Sequence, residues 1–214
     1  MKKISILVSS LIFVTMVSAN AEFGIGITGA AHMLDASGTE TTRESGQQNR
    51  GSHEETAIVP ELFLEAIDEN GYAFGISYIP TRDMGSKSRS DTNSEGDTGT
   101  YTAKAELDNV IQLYADLPMG EVMGMQTHFK IGFQHVTLAA LETLNSGSDY
   151  PNKDLWGTTL GLGVKGDLPY GNNLYYKGEL TYTKFEDYNA QGTGNTVSAE
   201  LDDTAAKFSI GYKF

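Results

Sequence analysis

Four histidines, His32, His53, His128 and His135, are the side chains in this sequence best suited to proton transfer or metal binding. A serine–histidine hydrolase needs a hydroxyl within hydrogen-bond reach of the imidazole and donors aimed at an oxyanion. No serine lies within three residues of His32, His128 or His135, and Ser52 beside His53 falls in an acidic loop segment. No catalytic residue is therefore expected. The histidines do not repeat at a helical zinc spacing, and with no cysteine there is no thiolate ligand or nucleophile. Met119, Met123 and Met125 cluster in one turn segment. Thioethers suit soft metals, but the expectation is a plain turn, with no metal and no cofactor.

The chemistry that the spacing does support is electrostatic. Lysines and carboxylates alternate with apolar residues along several segments. The alternation puts Glu61, Glu65, Lys104, Glu106, Lys130, Lys165, Lys177 and Glu179 on one polar face, with Asp108, Asp116, Asp167, Lys207 and Lys213. Six cations against seven anions is near balance. A selective pore carries one dominant sign, whereas balanced charges in a narrow, poorly hydrated space pair, because a lone buried ion costs several kcal/mol. A charged network that closes a lumen is the expectation.

Strands must position these residues, because the alternation has period two. Phe208, Ile210, Tyr212 and Phe214 alternate with Lys207, Ser209, Gly211 and Lys213, and Leu160, Leu162 and Val164 alternate with Thr159, Gly161, Gly163 and Lys165. The template predicts about eight strands, near 22–34, 57–67, 72–81, 100–117, 125–141, 155–168, 174–186 and 198–214. Short turns are expected at Asp68-Glu69-Asn70-Gly71, Pro118-Met119-Gly120 and Pro169–Asn173. Long polar connections are expected at 35–56, 82–99, 142–154 and 187–197. The fold class implied is all-β: a closed antiparallel transmembrane barrel with up-and-down topology. Phe23, Tyr72 and Tyr176 near the short-turn side, and Tyr78, Trp156 and Tyr182 toward the long-loop side, are expected to form aromatic girdles at the two membrane interfaces.

The N-terminus has the form of a secretory signal peptide. Lys2 and Lys3 precede an apolar stretch from Ile4 to Val17, and Ala19-Asn20-Ala21 supplies a small-x-small cleavage site. The expected division is a leader over 1–21 and a barrel over 22–214. Removing Lys2 and Lys3 leaves 13 basic residues against 28 acidic ones, a net charge of −15. That balance argues against a nucleic-acid partner. No later segment has the length and apolarity of a spanning helix, so a closed barrel is the remaining way across a bilayer. Seventeen acids and six bases fall in the long connections and their flanks, over 35–56, 82–99, 142–154 and 186–203. There, bridging to lipopolysaccharide phosphates by divalent cations is one expectation.

The ending AKFSIGYKF, with Phe208, Ile210, Tyr212 and Phe214 in register, resembles the C-terminal assembly signature of Gram-negative outer-membrane barrels. Length and strand number resemble the small OmpA/OmpX-type, opacity-protein and OmpW-type barrels. The resemblance implies an integral outer-membrane location, recognition of the last strand by the outer-membrane assembly machinery, periplasmic termini and long extracellular loops. The leading expectation is a monomeric, non-enzymatic barrel with a structural or cell-surface role, in contact with membrane lipid and lipopolysaccharide. The alternatives are a narrow porin-like or OmpW-like channel for small solutes and, third, a lipid-modifying enzyme.

Overall fold

The computed structural model describes residues 21–42, 46–92, 98–143, 150–169, 173–192 and 195–214. The expected leader falls outside these residues except for Ala21. The strands are β1 (Glu22–Thr42), β2 (Gln48–Ile67), β3 (Ala73–Ile79), β4 (Arg82–Thr92), β5 (Thr98–Val122), β6 (Met125–Thr143), β7 (Lys153–Asp167), β8 (Leu174–Phe185), β9 (Tyr188–Gln191) and β10 (Asn195–Lys213). Eight of them form an antiparallel ring in the order β1, β2, β3, β5, β6, β7, β8, β10, and β10 closes on β1. Residues at the ends of β1 and β10 extend this closure. Phe214 donates its N–H to the Phe23 carbonyl at 2.9 Å, and their rings stack with centroids 6.3 Å apart. The other two strands, β4 and β9, run on from β3 and β8 and, among the described residues, pair with β5 and β10 respectively.

The wall follows the period-two sequence. Ile25, Ile27, Leu62, Leu64, Ile76, Ile111, Leu113, Phe133, Leu160, Leu162, Leu180, Phe208 and Ile210 all expose their side chains on the outside. Their polar neighbours turn in: Thr159 is fully buried and Lys165 nearly so, while Leu162 is 57 % exposed. An apolar outside and a polar inside is the inversion that a bilayer requires.

Much of the sequence expected as long loops is strand. β1 and β2 stay paired from Glu22↔Ile67 up to Thr41↔Gln48, and β5 runs for 25 residues, where a membrane crossing needs ~9–11. The polar Ser/Thr segments alternate well enough to continue the ladders beyond the apolar belt. One expected turn also moves. Pro118-Met119-Gly120 lies within β5, where the register with β6 slips between Pro118 and Gly120. The chain reverses instead at Met123-Gly124, both with positive φ (54° and 78°), the backbone form that suits a two-residue hairpin. The turn at 68–71 is as expected: the Asp68 carboxylate accepts the N–H groups of Asn70 and Tyr72, and Gly71 takes φ 87°.

A bulge corrects three of the expected lumen residues, Lys104, Glu106 and Asp108. Asn109 has φ 53°, and the β5–β6 register shifts between Asp108 and Ile111. One extra residue reverses which face each side chain takes. Below the bulge Val110, Gln112, Tyr114 and Asp116 point in; above it Leu107 is buried inside instead. Lys104 and Glu106 therefore leave the interior and pair outside it at 2.6 Å, with Asp83 2.9 Å from Lys104. Hydrogen bonding from Lys104 holds the Asp83 carboxyl below its ordinary range.

The ring has a seam. The β2–β3 ladder ends at Leu62↔Tyr78; carried two residues further, that register would set Pro60 against Pro80. Proline has no N–H for a ladder, and among the described residues no ladder joins β2 to β4. Side chains bridge the gap higher up, where a Cβ on Gly85 would collide with His53 and Glu55.

Candidate functional site

Among the described residues, ten buried charged side chains lie within the barrel: Arg82, Lys130, Lys165, Lys177 and Lys207 against Glu61, Glu65, Asp116, Glu179 and Asp203. Lower in the lumen, Glu65 of β2 is the hub. Lys177 of β8 donates to it at 2.6 Å, Tyr114 of β5 at 2.6 Å and Tyr175 of β8 at 2.7 Å. Lys130 of β6 links Asp116 at 3.1 Å to Glu179 at 2.9 Å, and His128 reaches Glu179 at 2.9 Å. The two ammonium groups also stand over aromatic faces, Lys130 3.6 Å from the Tyr114 ring centre and Lys177 4.4 Å from that of Phe63. Lys165 donates to the Gly71 carbonyl at 2.6 Å.

Higher up, Lys207 of β10 holds Glu61 of β2 at 2.9 Å. His32 of β1 lies between Glu61, at 3.0 Å, and Asp203, at 2.9 Å. Arg82 comes in from the start of β4 to meet Asp203 at 3.0 Å and also His32. Neutral groups fill the facing wall. Gln112 and Gln134 both donate to Thr159, Gln134 also to Thr183, and Ser77 to Gln112. Above these, the lining turns apolar, with Leu34, Ile79, Met84, Leu107, Val110, Val136, Leu138, Leu155, Phe185, Tyr188 and Leu201 packed together.

Glycines make room for the large inward side chains. A Cβ on Gly75 would lie 2.3 Å from the Tyr114 ring, and one on Gly24 would lie 2.4 Å from the Tyr175 hydroxyl. These positions have nothing to do with backbone conformation; they let a phenol lie flat across the neighbouring strand on its way to Glu65.

Of the eight residues expected in a lumen network, Glu61, Glu65, Lys130, Lys165, Lys177 and Glu179 are buried inside, and Lys104 and Glu106 are not. Arg82, expected in the long connection 82–99, and Asp203, expected in the last strand among the acids of the outer end, belong to the interior. Asp203 was within reach, because it continues the inward frame of Lys207 and Ser209 along β10. Arg82 was not, because the Pro80-Thr81 break separates it from inward Ile79 by three positions. Of the expected girdle residues, Phe23, Tyr72, Tyr78, Trp156 and Tyr182 are exposed on the outer wall. Tyr176 is partly covered and packs over Gly166. His135 lies against Trp156, ring centres 4.8 Å apart.

Asp116, His128 and Glu179 bring one donor atom each within 4.8 Å of the others, a spacing open to a metal ion. Lys130 places its ammonium between the two carboxylates. A divalent ion would have to displace that cation and face Lys177, 3.7 Å from Asp116.

An eight-stranded antiparallel ring with an apolar outer belt and a charged interior is the architecture of the small Gram-negative outer-membrane β-barrels, and this chain has that fold. One solved structure supports that fold. The outer membrane protein OprG from Pseudomonas aeruginosa superposes with a TM-score of 0.58 at 17 % identity, over 91 % of this chain and 96 % of that one. Ail, the attachment invasion locus protein of Yersinia pestis, matches at 0.41 and 10 % identity over 88 % and 99 %. Neisserial surface protein A matches at 0.41 and 12 % over 87 % and 97 %. No protein-family model matches the sequence, and no curated protein does.

Proposed function

We propose that this chain is a non-enzymatic outer-membrane barrel with a structural and cell-surface role, its lumen closed to ions at the waist. The observation that carries this reading is the paired set Glu65–Lys177, Asp116–Lys130–Glu179 and Glu61–Lys207, contributed by strands from around the ring. Buried cations and anions held in mutual contact, with neither sign dominant, offer no single-sign lining to select an ion and no file of free charges to carry one. The short turns and both termini of the barrel are assigned to the periplasm and the extended hairpins to the cell exterior. Lipid, lipopolysaccharide and the assembly machinery are the partners of a monomer.

Because the chain has no cysteine, single introduced cysteines test this cleanly. A membrane-impermeant thiol reagent should label Ser209→Cys from neither side, Glu22→Cys from the periplasmic side and Thr39→Cys from the outside. Rapid labelling at Ser209→Cys would show a hydrated lumen and refute closure.

A second reading is favoured by one separate feature. The lining above the waist is apolar, and among the described residues the β2–β3 ladder stops at Leu62↔Tyr78, short of Pro60 and Pro80. A small apolar solute that enters from outside and cannot pass the waist has a sideways exit into the bilayer there. Replacing both prolines by alanine would let the ladder close. It should slow transfer of octane into the membrane of proteoliposomes, and unchanged transfer would remove this reading.

A further inference from the structure

The apolar packing above the waist has a buried arginine at its edge. Arg82 is 3 % exposed and spends only one terminal nitrogen, Nη1, on Asp203 and His32. Its Nε and Nη2 are buried and have no hydrogen-bond partner. In a planar guanidinium the N–H of Nε and one N–H of Nη2 lie on the same edge and point the same way. That edge is the fork that takes both oxygens of a carboxylate in two parallel hydrogen bonds. Buried donors left unpaired cost about 1–3 kcal/mol each, more on a charged group, so a partner arriving at this edge recovers that cost.

The surroundings define the rest of the ligand. Arg82 opens β4 directly after Pro80-Thr81, at the seam. Ile79 and Met84 flank it in sequence, and Leu107 is its partner across the ladder. All three are buried in the apolar cluster with Leu34 and Val110. The geometry points to a binding site for an apolar carboxylic acid. Its carboxylate lies on the free edge of Arg82, and its hydrocarbon tail displaces part of the apolar packing or leaves through the seam. This deepens the second reading above and rests on it, adding a head-group preference to an apolar route. A metal at Asp116, His128 and Glu179 is a weaker candidate, because Lys130 already supplies the cation there.

Water-soluble eight-carbon probes test it on the intact barrel in nanodiscs, with arginine labelled in 15N. Octanoate should shift the Arg82 Nε resonance saturably. Octanol should bind roughly ten- to a hundredfold more weakly, as loss of a charged hydrogen-bonded pair dictates. Arg82→Gln should bring octanoate down to the octanol level, and Arg82→Lys should recover part of the difference. The wild-type Arg82 resonance decides the matter even where a variant fails to fold. Equal binding of octanoate and octanol with no Nε shift would overturn the head-group site and leave the apolar route standing. No binding of either would overturn the route and the site together. Tighter binding of octyl phosphate than of octanoate would overturn the carboxylate assignment.

Discussion

At the scale of single residues, the account stands on Lys177. Its ammonium is 2.6 Å from Glu65, near Asp116, and 2 % exposed. Removing one member of a buried pair strands the other and costs about 3–5 kcal/mol, whereas replacing both by apolar groups is often close to neutral. Lys177→Met should therefore destabilise the folded barrel by that amount in urea titrations, and Lys177→Met/Glu65→Met should restore part of the loss. A double variant as unstable as the sum of its singles would mean that the pair is not the unit. Glycine gives a second residue-scale test. Gly75→Ala forces a methyl into the Tyr114 ring, which overpacking places at about 1–3 kcal/mol. Gly29 meets nothing within 4 Å, so Gly29→Ala should change the unfolding midpoint little; equal effects would argue against the glycine seat for Tyr114.

At the scale of the strand, parity decides everything, because one step moves each side chain between lipid and lumen. Leu162→Arg should cost ~2–4 kcal/mol if it lies near the bilayer midplane, while Lys213→Ala at the lumen mouth should be tolerated; a tolerated Leu162→Arg would contradict the register. Deleting Phe214 should reduce outer-membrane levels far more than Lys213→Ala. It removes both the terminal aromatic and the backbone bonds to Phe23 that extend the β1–β10 ladder at its end. Outer-membrane levels by immunoblot check this, and equal levels in the two variants would separate assembly from the closing bonds. The strands were legible in the sequence wherever alternation ran unbroken, as at Phe208–Phe214 and Leu160–Lys165. Alternation is a local property, and a bulge is a single local exception to it. Asn109 carries no mark that separates it from any other strand residue, so Lys104 and Glu106 were placed on the wrong face. The hairpin extensions were missed for a different reason: Ser- and Thr-rich alternation has no apolar face, and loop composition looks the same.

At the scale of the whole molecule, the waist exists because distant segments meet. Lys177 and Glu65 are 112 positions apart, and no local pattern shows which lysine faces which carboxylate. The sequence did show the balance of charge, and balance in a tube too narrow for bulk water is what demands pairing. It did not show the apolar packing above the waist, since Met84 and Leu107 face the lumen only through the Pro80-Thr81 break and the Asn109 bulge. The central claim, a lumen closed by paired charges, is tested most directly by conductance of the purified, refolded barrel in a planar lipid bilayer. Wild-type protein should show no discrete conductance steps in potassium chloride, and Lys177→Ala should introduce them by leaving Glu65 and Asp116 to draw water into the waist. Steady open-channel conductance of the wild-type protein, unchanged by Lys177→Ala, would contradict the account.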